Sequence, residues 1–576
     1  MSPASNGLLR VGRRVSHGAA RLACRGAAGD FERALLDSRA AQLGNLERIL
    51  RGVVGAAQAR RLGLEPGMGP AKFRERVPEI CYADVAEAIA RQRGGARELT
   101  AAPCARYQPT SGSSAKVKWI PYTRSFLAEL DAALSPWGFD LYRTVPGVAR
   151  GRHYWSLSWV PTSLRASTSA NVNDDRALLS PAKRAFTRMT SPVPAWVAET
   201  ASSEDSLFAT ATFLAAADDL TLMSVWSPTF ALSLFEQLAE HREVIGELLA
   251  AGAWGGARRA LPGRPPRAAR AARVLRAWRG EQDPAFFREL WPQLALVSAW
   301  ETAGAARWAR QLAELLPHAA FQGKGLWATE GVVTIPYRGR MPLAVRSHYF
   351  EFVDLESGRP CFSWELRDGQ TVRPLLTTGG GLLRYRLEDR LVVRGFLGTT
   401  PCFEYLGRLQ DVDMVGEKMS QEAARVGLDA IAAEESGGAC RPLTLLAVTP
   451  TRKTDKPRYV ALCEGRAGAD DERRGAVLEK SLRGIFHYNL ARDLGQLGPA
   501  RVLTLADARR FYEDIGAARG LVAGGIKLED LLLCDDARVA ALVAERIAGR
   551  AADPAEGADA AAAAGAASAG ASAAVV

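Results

Sequence analysis

The sequence predicts a mixed α/β (α+β) protein, a large N-terminal domain followed by a small α+β domain, on three observations. A chain of 576 residues exceeds what one hydrophobic core serves, so two or more domains are the default. Residues 30–64 and 207–316 have mostly helical grammar, whereas the texture past Gln322 turns to aromatic and β-branched runs. After Arg408 the pattern changes again, to short strands alternating with helices. These breaks divide the chain into a basic flexible N-terminus (1–29), an N-terminal domain (30–408), a hinge (409–411) and a C-terminal domain (412–550). An Ala-rich tail (551–576) lacks large apolar side chains until the final valines and is expected to be disordered.

Taken in order, residues 1–29 carry five arginines and no acid, the composition of a transit peptide, but without the continuous apolar core of a secretory signal. Leu35, Leu36, Leu43 and Leu46 recur at helix spacing within 30–64, and a second amphipathic stretch occupies 82–91. Thr123 is a good N-cap for a helix whose apolar face holds Phe126, Leu127, Leu130 and Leu134. From 258 to 279 there are eight arginines and no acid. Those at 267, 270, 273, 276 and 279 recur every third residue and would give one helix a broad basic side, either an anion-binding surface or a solvated face. Residues 341–355 and 390–396 read as strands separated by a glycine turn at 377–381. The C-terminal domain reads as helix 420–434, strands 443–448 and 459–463, helix 476–486, strand 501–505 and a further helix.

The balance of 48% hydrophobic and 24% charged residues is that of a soluble globular protein. A net charge of +11 suits anionic partners, though an arginine-rich composition produces it equally well. Eight cysteines are scattered with no CxxC pair, which argues against a zinc site and for a reduced, cytoplasmic protein. The uncharged stretch 220–235 contains Pro228 and is too short to span a bilayer, so no membrane association is expected.

No GxxxxGK[ST] loop, GxSxG elbow or HExxH helix is present, and the six histidines are far apart. His348 reads as a strand residue. The stretch TSGSSAKVKWIPYT (110–123) crowds hydroxyls around Gly112 ahead of two lysines. Such a loop can cradle phosphate oxygens, or be only a polar turn. Trp327-Ala-Thr-Glu-Gly331 sets a hydroxyl beside a carboxylate, a pair able to meet a phosphate and a magnesium ion or to cap a helix. In Arg384-Tyr-Arg-Leu-Glu-Asp389 the final acid can accept both hydroxyls of a ribose or join a surface ion pair.

In this order, and followed by Phe403-Glu-Tyr-Leu-Gly-Arg408 and Val415-Gly-Glu-Lys418, the motifs resemble those of adenylate-forming enzymes. More closely they resemble the auxin-responsive acyl acid–amido synthetases (the GH-three family) and their bacterial relatives. Phe73-Arg-Glu-Arg-Val-Pro78, Gly151-Arg-His-Tyr-Trp155 and Tyr349-Phe-Glu-Phe352 also fall in family order, and the likeness covers roughly residues 30–535.

The resemblance implies an adenylate-forming fold with an N-terminal adenylation domain, β-structure flanked by helices, and a mobile C-terminal lid. It implies ATP and Mg2+, with Thr110, Ser111, Gly112, Ser113, Ser114 and Lys118 gripping phosphate. Ala328, Thr329 and Glu330 would line the adenine and α-phosphate site, Glu330 as magnesium ligand. Asp389 would hold the ribose, Arg408 would sit at the hinge, and Lys418 would approach the phosphate from the lid. Lys418, Ser113 and Thr329 are then the catalytic candidates. Tyr154, Trp155 and Trp159 are candidates for the acyl pocket. The implied reaction activates a carboxylic acid as its adenylate and passes the acyl group to an amine, that of an amino acid, with no specific nucleic acid or membrane partner.

Three departures stand out. Ala115 replaces a second loop glycine, and Glu388 replaces the glycine of a YRxGD pattern. No PKxxxGK-like motif occurs near the C-terminus, so Lys418 or Lys527 would supply any lid charge. The rival readings are a ligase with a thiol acceptor, a non-catalytic nucleotide-binding descendant, and nucleic-acid binding through the arginine run.

Overall fold

The computed structural model describes residues 3–109, 118–156, 181–256, 261–302, 305–408, 412, 414–415, 417, 419–434, 440–450, 456–466, 470–493, 496–521 and 526–551. The chain divides into two compact units, Met1–Arg408 with Val522–Lys527, and Leu409–Leu521 with Leu528–Val576.

The first unit opens with a helix over Pro3–Leu36, where the basic composition predicted a flexible terminus. The reason is its buried side. His17, Cys24, Ala28, Phe31 and Leu35 recur at helical intervals and are all buried, while Arg14, Arg21 and Arg25 face outward. Asp37 then breaks the helix and caps the next, Ser38–Val53, by accepting from Ala40 N.

A hairpin of β1 (Cys104–Pro109) and β2 (Trp119–Thr123) leads into the long helix Arg124–Thr144. Thr123 caps it through Phe126 N, as its sequence position predicts. Four strands follow, β3 (Arg152–Trp155), β4 (Leu220–Ser224), β5 (Leu296–Ala299) and β6 (Ala320–Gly323), in one parallel sheet in chain order. The sequence read most of this region as helix. Strands β4 and β5 are four or five residues long and buried at every position. A strand covered on both faces has no polar alternation to mark it. The arginine run also differs from expectation. Its helix spans only Ala269–Ala277, burying Ala271, Ala272, Val274 and Leu275, so of the five spaced arginines it carries Arg270, Arg273 and Arg276.

The two-stranded ribbon β7 (Trp327–Ala328) and β8 (Gly331–Val332) precedes an antiparallel sheet. That sheet comprises β9 (Tyr349–Asp354), β10 (Pro360–Phe362), β11 (Thr371–Thr377), β12 (Tyr385–Arg386), β13 (Asp389–Leu397) and β14 (Thr400–Arg408), with β11 central between β9 and β13. One contiguous core runs from Phe31 through Phe126 and Trp137 to Phe350, Val393 and Phe403.

The second unit is a four-stranded sheet of β15 (Cys440–Val448), β16 (Arg458–Gly465), β17 (Arg501–Leu505) and β18 (Leu531–Cys534), in the order β17-β16-β15-β18. Helices Gln421–Ala433 and Asp471–Arg483 share its core through Leu428, Ile431, Leu478 and Leu482. No helix of the described residues is long and apolar enough to cross a membrane.

Two buried histidines anchor the N-terminal helix. His17 meets the Tyr142 hydroxyl at 2.9 Å and the Gly151 carbonyl at 2.8 Å. The His153 ring lies 4.5 Å away and donates to the Val148 carbonyl at 2.7 Å. Burial pushes the His153 imidazole down to about 3, and burial also holds His17 below the ordinary range. Unfolded imidazoles titrate near ~6.5, so the unfolded chain takes up these protons first. For His153 the stability is present above that pH and is lost as pH falls toward 3, by up to ~1.4 kcal/mol per pH unit, and His17 contributes in the same direction. The melting temperature is expected to drop between pH 7 and 5, and His153→Gln to flatten that drop. An identical pH slope in the variant would contradict the account.

Candidate functional site

Ala328 pairs with Gly331, so Thr329 and Glu330 form a two-residue turn at the tip of β7–β8. Both side chains are half-buried. The ribbon is pinned at its base, where Trp327 Nε1 donates to the Thr334 carbonyl at 2.9 Å and Leu326 N to Thr334 Oγ1 at 2.7 Å. At the tip, the Tyr122 hydroxyl donates to the Thr329 carbonyl at 2.8 Å. The Tyr385 hydroxyl lies 3.4 Å from Glu330 Oε1. Burial, then the Glu330 charge, push this phenol far above its ordinary range, so it stays protonated and donates. Gly331 has no room for a side chain, since a Cβ would lie 2.7 Å from both His348 Nε2 and Leu376 Cδ2.

Tyr385 is held by the segment around it. Arg384 adopts a left-handed φ of 50°, costly for a non-glycine residue. Its guanidinium is fixed by Glu351 Oε2 at 2.9 Å and the Val77 carbonyl at 2.7 Å. Glu351 takes Arg74 Nε on its other oxygen at 2.7 Å. Strand β12 is sewn to Ile80 by Ile80 N→Arg384 O and Arg386 N→Ile80 O.

Asp389 begins β13 opposite Arg408 of β14 and is buried, accepting from the Tyr405 hydroxyl at 3.1 Å. The neighbouring Glu388 accepts from Arg386 Nε at 2.8 Å and lies 3.9 Å from Arg373. Two guanidinium groups therefore neutralise the carboxylate that departs from the YRxGD pattern. Trp300 packs edge-on against Tyr405, ring centres 5.4 Å apart, and Lys527 Nζ sits 3.9 Å from the Trp300 ring centre. Lys118 follows the hydroxyl-rich loop and lies 5.7 Å from the Tyr82 ring, whose hydroxyl accepts from Trp119 N at 2.9 Å.

Beneath the turn lies a buried polar network that sequence reasoning missed. Glu129 accepts from Arg48 at 2.6 Å, from Gly379 N at 3.0 Å on both oxygens, and from His348 Nδ1 at 2.7 Å. Thr123 donates its hydroxyl to the Gly379 carbonyl at 2.7 Å. The 377–381 turn needs its glycines, since Cβ atoms at Gly380 and Gly381 would strike the Pro121 and Leu99 carbonyls. One signal was available in the sequence. Glu129 shares the apolar face of its helix with Phe126, Leu130 and Ala133, a core position where an acid needs partners. His348, read as a strand residue, lies just before β9.

The acyl candidates separate. Trp155 is half-buried and in register with Ser224, Ser298 and Gln322 across the parallel sheet. Tyr154 points to the other side of β3 and is fully buried. It belongs to the packing and offers a substrate no surface, because successive strand residues alternate faces. Trp159 lies outside the described residues. Lys324 is buried, donates to Ser224 Oγ at 2.7 Å, and lies 5.1–5.8 Å from the rings of Trp226, Trp327 and Trp137. Trp137 packs edge-on against Trp155 and Trp327.

Thr110, Ser111, Gly112, Ser113, Ser114 and Lys418 also lie outside the described residues, as does the Arg408 side chain. No group of three or more His, Cys, Asp and Glu side chains among the described residues could hold a metal ion. A cation at Glu330 would therefore draw most of its ligands from phosphate and water. One carboxylate fits magnesium, which keeps water and phosphate oxygens in its shell.

Comparison with known proteins gives a consistent result. Residues 27–321 match the GH3 family N-terminal domain, and residues 341–408 match the GH3 family central domain. A probable indole-3-acetic acid-amido synthetase, GH3.12 of Oryza sativa subsp. japonica, is 23% identical over 512 residues, 78% of this chain and 82% of that protein. Among solved structures, the AtGH3.15 acyl acid amido synthetase in complex with 2,4-DB superposes with a TM-score of 0.73 at 17% identity. The match covers 91% of this chain and 96% of the other, so the two share a fold. A second structure of a GH3.15 acyl acid amido synthetase gives 0.70 at 16% identity, covering 90% and 95%.

Proposed function

Because the chain belongs to the GH3 family, we propose that it is an ATP-dependent acyl acid–amido synthetase. The observation that carries the reading is the Thr329–Glu330 turn, a hydroxyl and a carboxylate held at the tip of a pinned ribbon. In the first step a substrate carboxylate attacks the α-phosphorus of ATP in line, and pyrophosphate departs with the electron pair of the broken P–O bond. In the second, an amine of an amino acid attacks the acyl carbon. AMP leaves, and the amine loses a proton. Positioning and charge neutralisation account for most of the rate in such transfers.

Each residue has a role in this scheme. Asp389 accepts from the ribose hydroxyls. The Thr329 hydroxyl donates to an α-phosphate oxygen, and Ser113, with Ser111, Gly112, Ser114 and Lys118, grips the departing phosphates. Lys418 or Lys527 brings positive charge to the reacting phosphate, replacing the absent PKxxxGK motif. Glu330 would hold magnesium, which supplies further neutralisation of the phosphate charge.

The partly open indoles of Trp155, Trp226 and Trp327 favour a flat aromatic acid as acyl substrate. Trp155→Ala is expected to raise KM for such an acid about tenfold and leave KM for ATP unchanged, measured by initial rates. Equal changes in both would place Trp155 outside the acyl pocket.

The direct test is pyrophosphate release from ATP across a panel of carboxylic acids, followed by amine-dependent AMP release. ATP binding without acid-stimulated pyrophosphate release overturns the enzyme reading. AMP release that requires a thiol instead of an amine makes the protein a thioester-forming ligase.

A further inference from the structure

Glu129 and His348 bear on the proposed site without belonging to any motif that defines it. Neither side chain has any exposed surface. His348 Nδ1 lies 2.7 Å from Glu129 Oε2, and His348 Nε2 lies 3.2 Å from Val332 N. A backbone N–H only donates, so Nε2 must accept. A carboxylate accepts, so Nδ1 must carry the proton. The pair thus selects one imidazole tautomer out of two.

The selected tautomer acts on the Thr329–Glu330 turn. Val332 is the second residue after Glu330, and Gly331 between them packs directly on the ring. The height of β8 is therefore set by the Nε2 lone pair and the ring beneath it. Phe126 stacks on the imidazole with ring centres 5.4 Å apart and fixes its plane. Glu129 is itself immobilised by Arg48 and by the Gly379 N–H of the glycine turn. One buried carboxylate consequently joins the helix that follows the hydroxyl-rich loop, the glycine turn and the ribbon carrying Thr329 and Glu330.

We propose that the Glu129–His348 pair is a positioning device for adenylation, in which the Nδ1–H tautomer of His348 holds the Thr329–Glu330 turn against the α-phosphate. The inference rests on the reading above that this turn meets ATP. Neither residue touches substrate. Their contribution passes through the backbone of Val332, so it is felt where placement matters most, in the rate of the first chemical step.

Three measurements test it on the full-length protein. The 15N spectrum of the wild type, labelled at histidine, should show a buried imidazole protonated at Nδ1 and bare at Nε2, absent from a His348→Gln sample. A protonated Nε2 overturns the proposal. His348→Phe keeps the ring volume and removes both nitrogens, and should lower kcat for acid-dependent pyrophosphate release at least tenfold with KM for the acid unchanged. His348→Gln places an acceptor near the Nε2 position and should recover most of that loss. A structural role alone would lower the melting temperature of both variants and leave kcat per folded molecule at the wild-type value, overturning the proposal. Should His348→Phe fail to fold, the wild-type spectrum decides, and a His348→Gln kcat reduced tenfold or more per folded molecule also overturns the proposal. A wild type that releases no pyrophosphate with any acid sinks the functional reading and this proposal with it. An active wild type beside an equally active His348→Phe sinks this proposal alone.

Discussion

Asp389→Ala is expected to reduce kcat/KM for ATP by at least a hundredfold in acid-dependent pyrophosphate release, with the melting temperature little changed. Hydrogen bonds to a charged group are worth about 1.5–3 kcal/mol each, and two ribose hydroxyls would lose theirs together, which converts to a factor of this size. Asp389 starts β13, is buried, and has one oxygen engaged by Tyr405. Tyr405→Phe serves as the control. It removes that hydrogen bond and keeps the carboxylate, so its effect should be less than tenfold. Wild-type ATP kinetics in Asp389→Ala would remove Asp389 from the nucleotide site.

Glu351→Ala is expected to destabilise the N-terminal unit by about 3–5 kcal/mol, the usual effect of removing one partner from a buried ion pair. Glu351 is almost fully buried between Arg74 Nε and Arg384 Nε, and its loss leaves two guanidinium groups uncompensated. Arg384 has the further demand of its left-handed backbone, which its hydrogen bonds to Glu351 and Val77 maintain. The substitution therefore reaches function as well, since Tyr385, the next residue, donates to Glu330. Chemical denaturation should show the loss of stability, and the folded fraction should show a raised KM for ATP. A change below 1 kcal/mol would mean that the arginines find solvent or other carboxylates. Glu79, 3.8 Å from Arg384, is the nearest alternative.

The motifs were legible in the sequence because their chemistry is local. Thr329 and Glu330 are adjacent, Asp389 closes a run that begins at Arg384, and Thr123 caps the helix that begins one residue later. A hydroxyl beside a carboxylate, or a cap before an apolar stripe, needs only neighbouring residues to be recognised. The strand at 390–396 was readable as well, from its β-branched and aromatic residues, and β13 covers it. Strands β4 and β5 were not readable, because burial on both faces erases alternation. The N-terminal helix was misread because composition counts arginines without asking which side of the helix they occupy.

What the sequence determined by itself is thus the family likeness, the mixed fold class, and local features such as the Thr123 cap. The tertiary structure alone decided what supports them. Glu129, Arg48, His348 and Gly379 lie up to 331 positions apart and form one network. The same holds for Arg74, Glu351 and Arg384. It also decided that Glu388, an anomaly in the motif, is neutralised by Arg386 and Arg373. The reason is physical. A buried charge must find its counter-charge and hydrogen-bond partners inside the fold, and those partners come from whichever strands and turns the packing brings alongside. No spacing rule along the chain encodes that meeting.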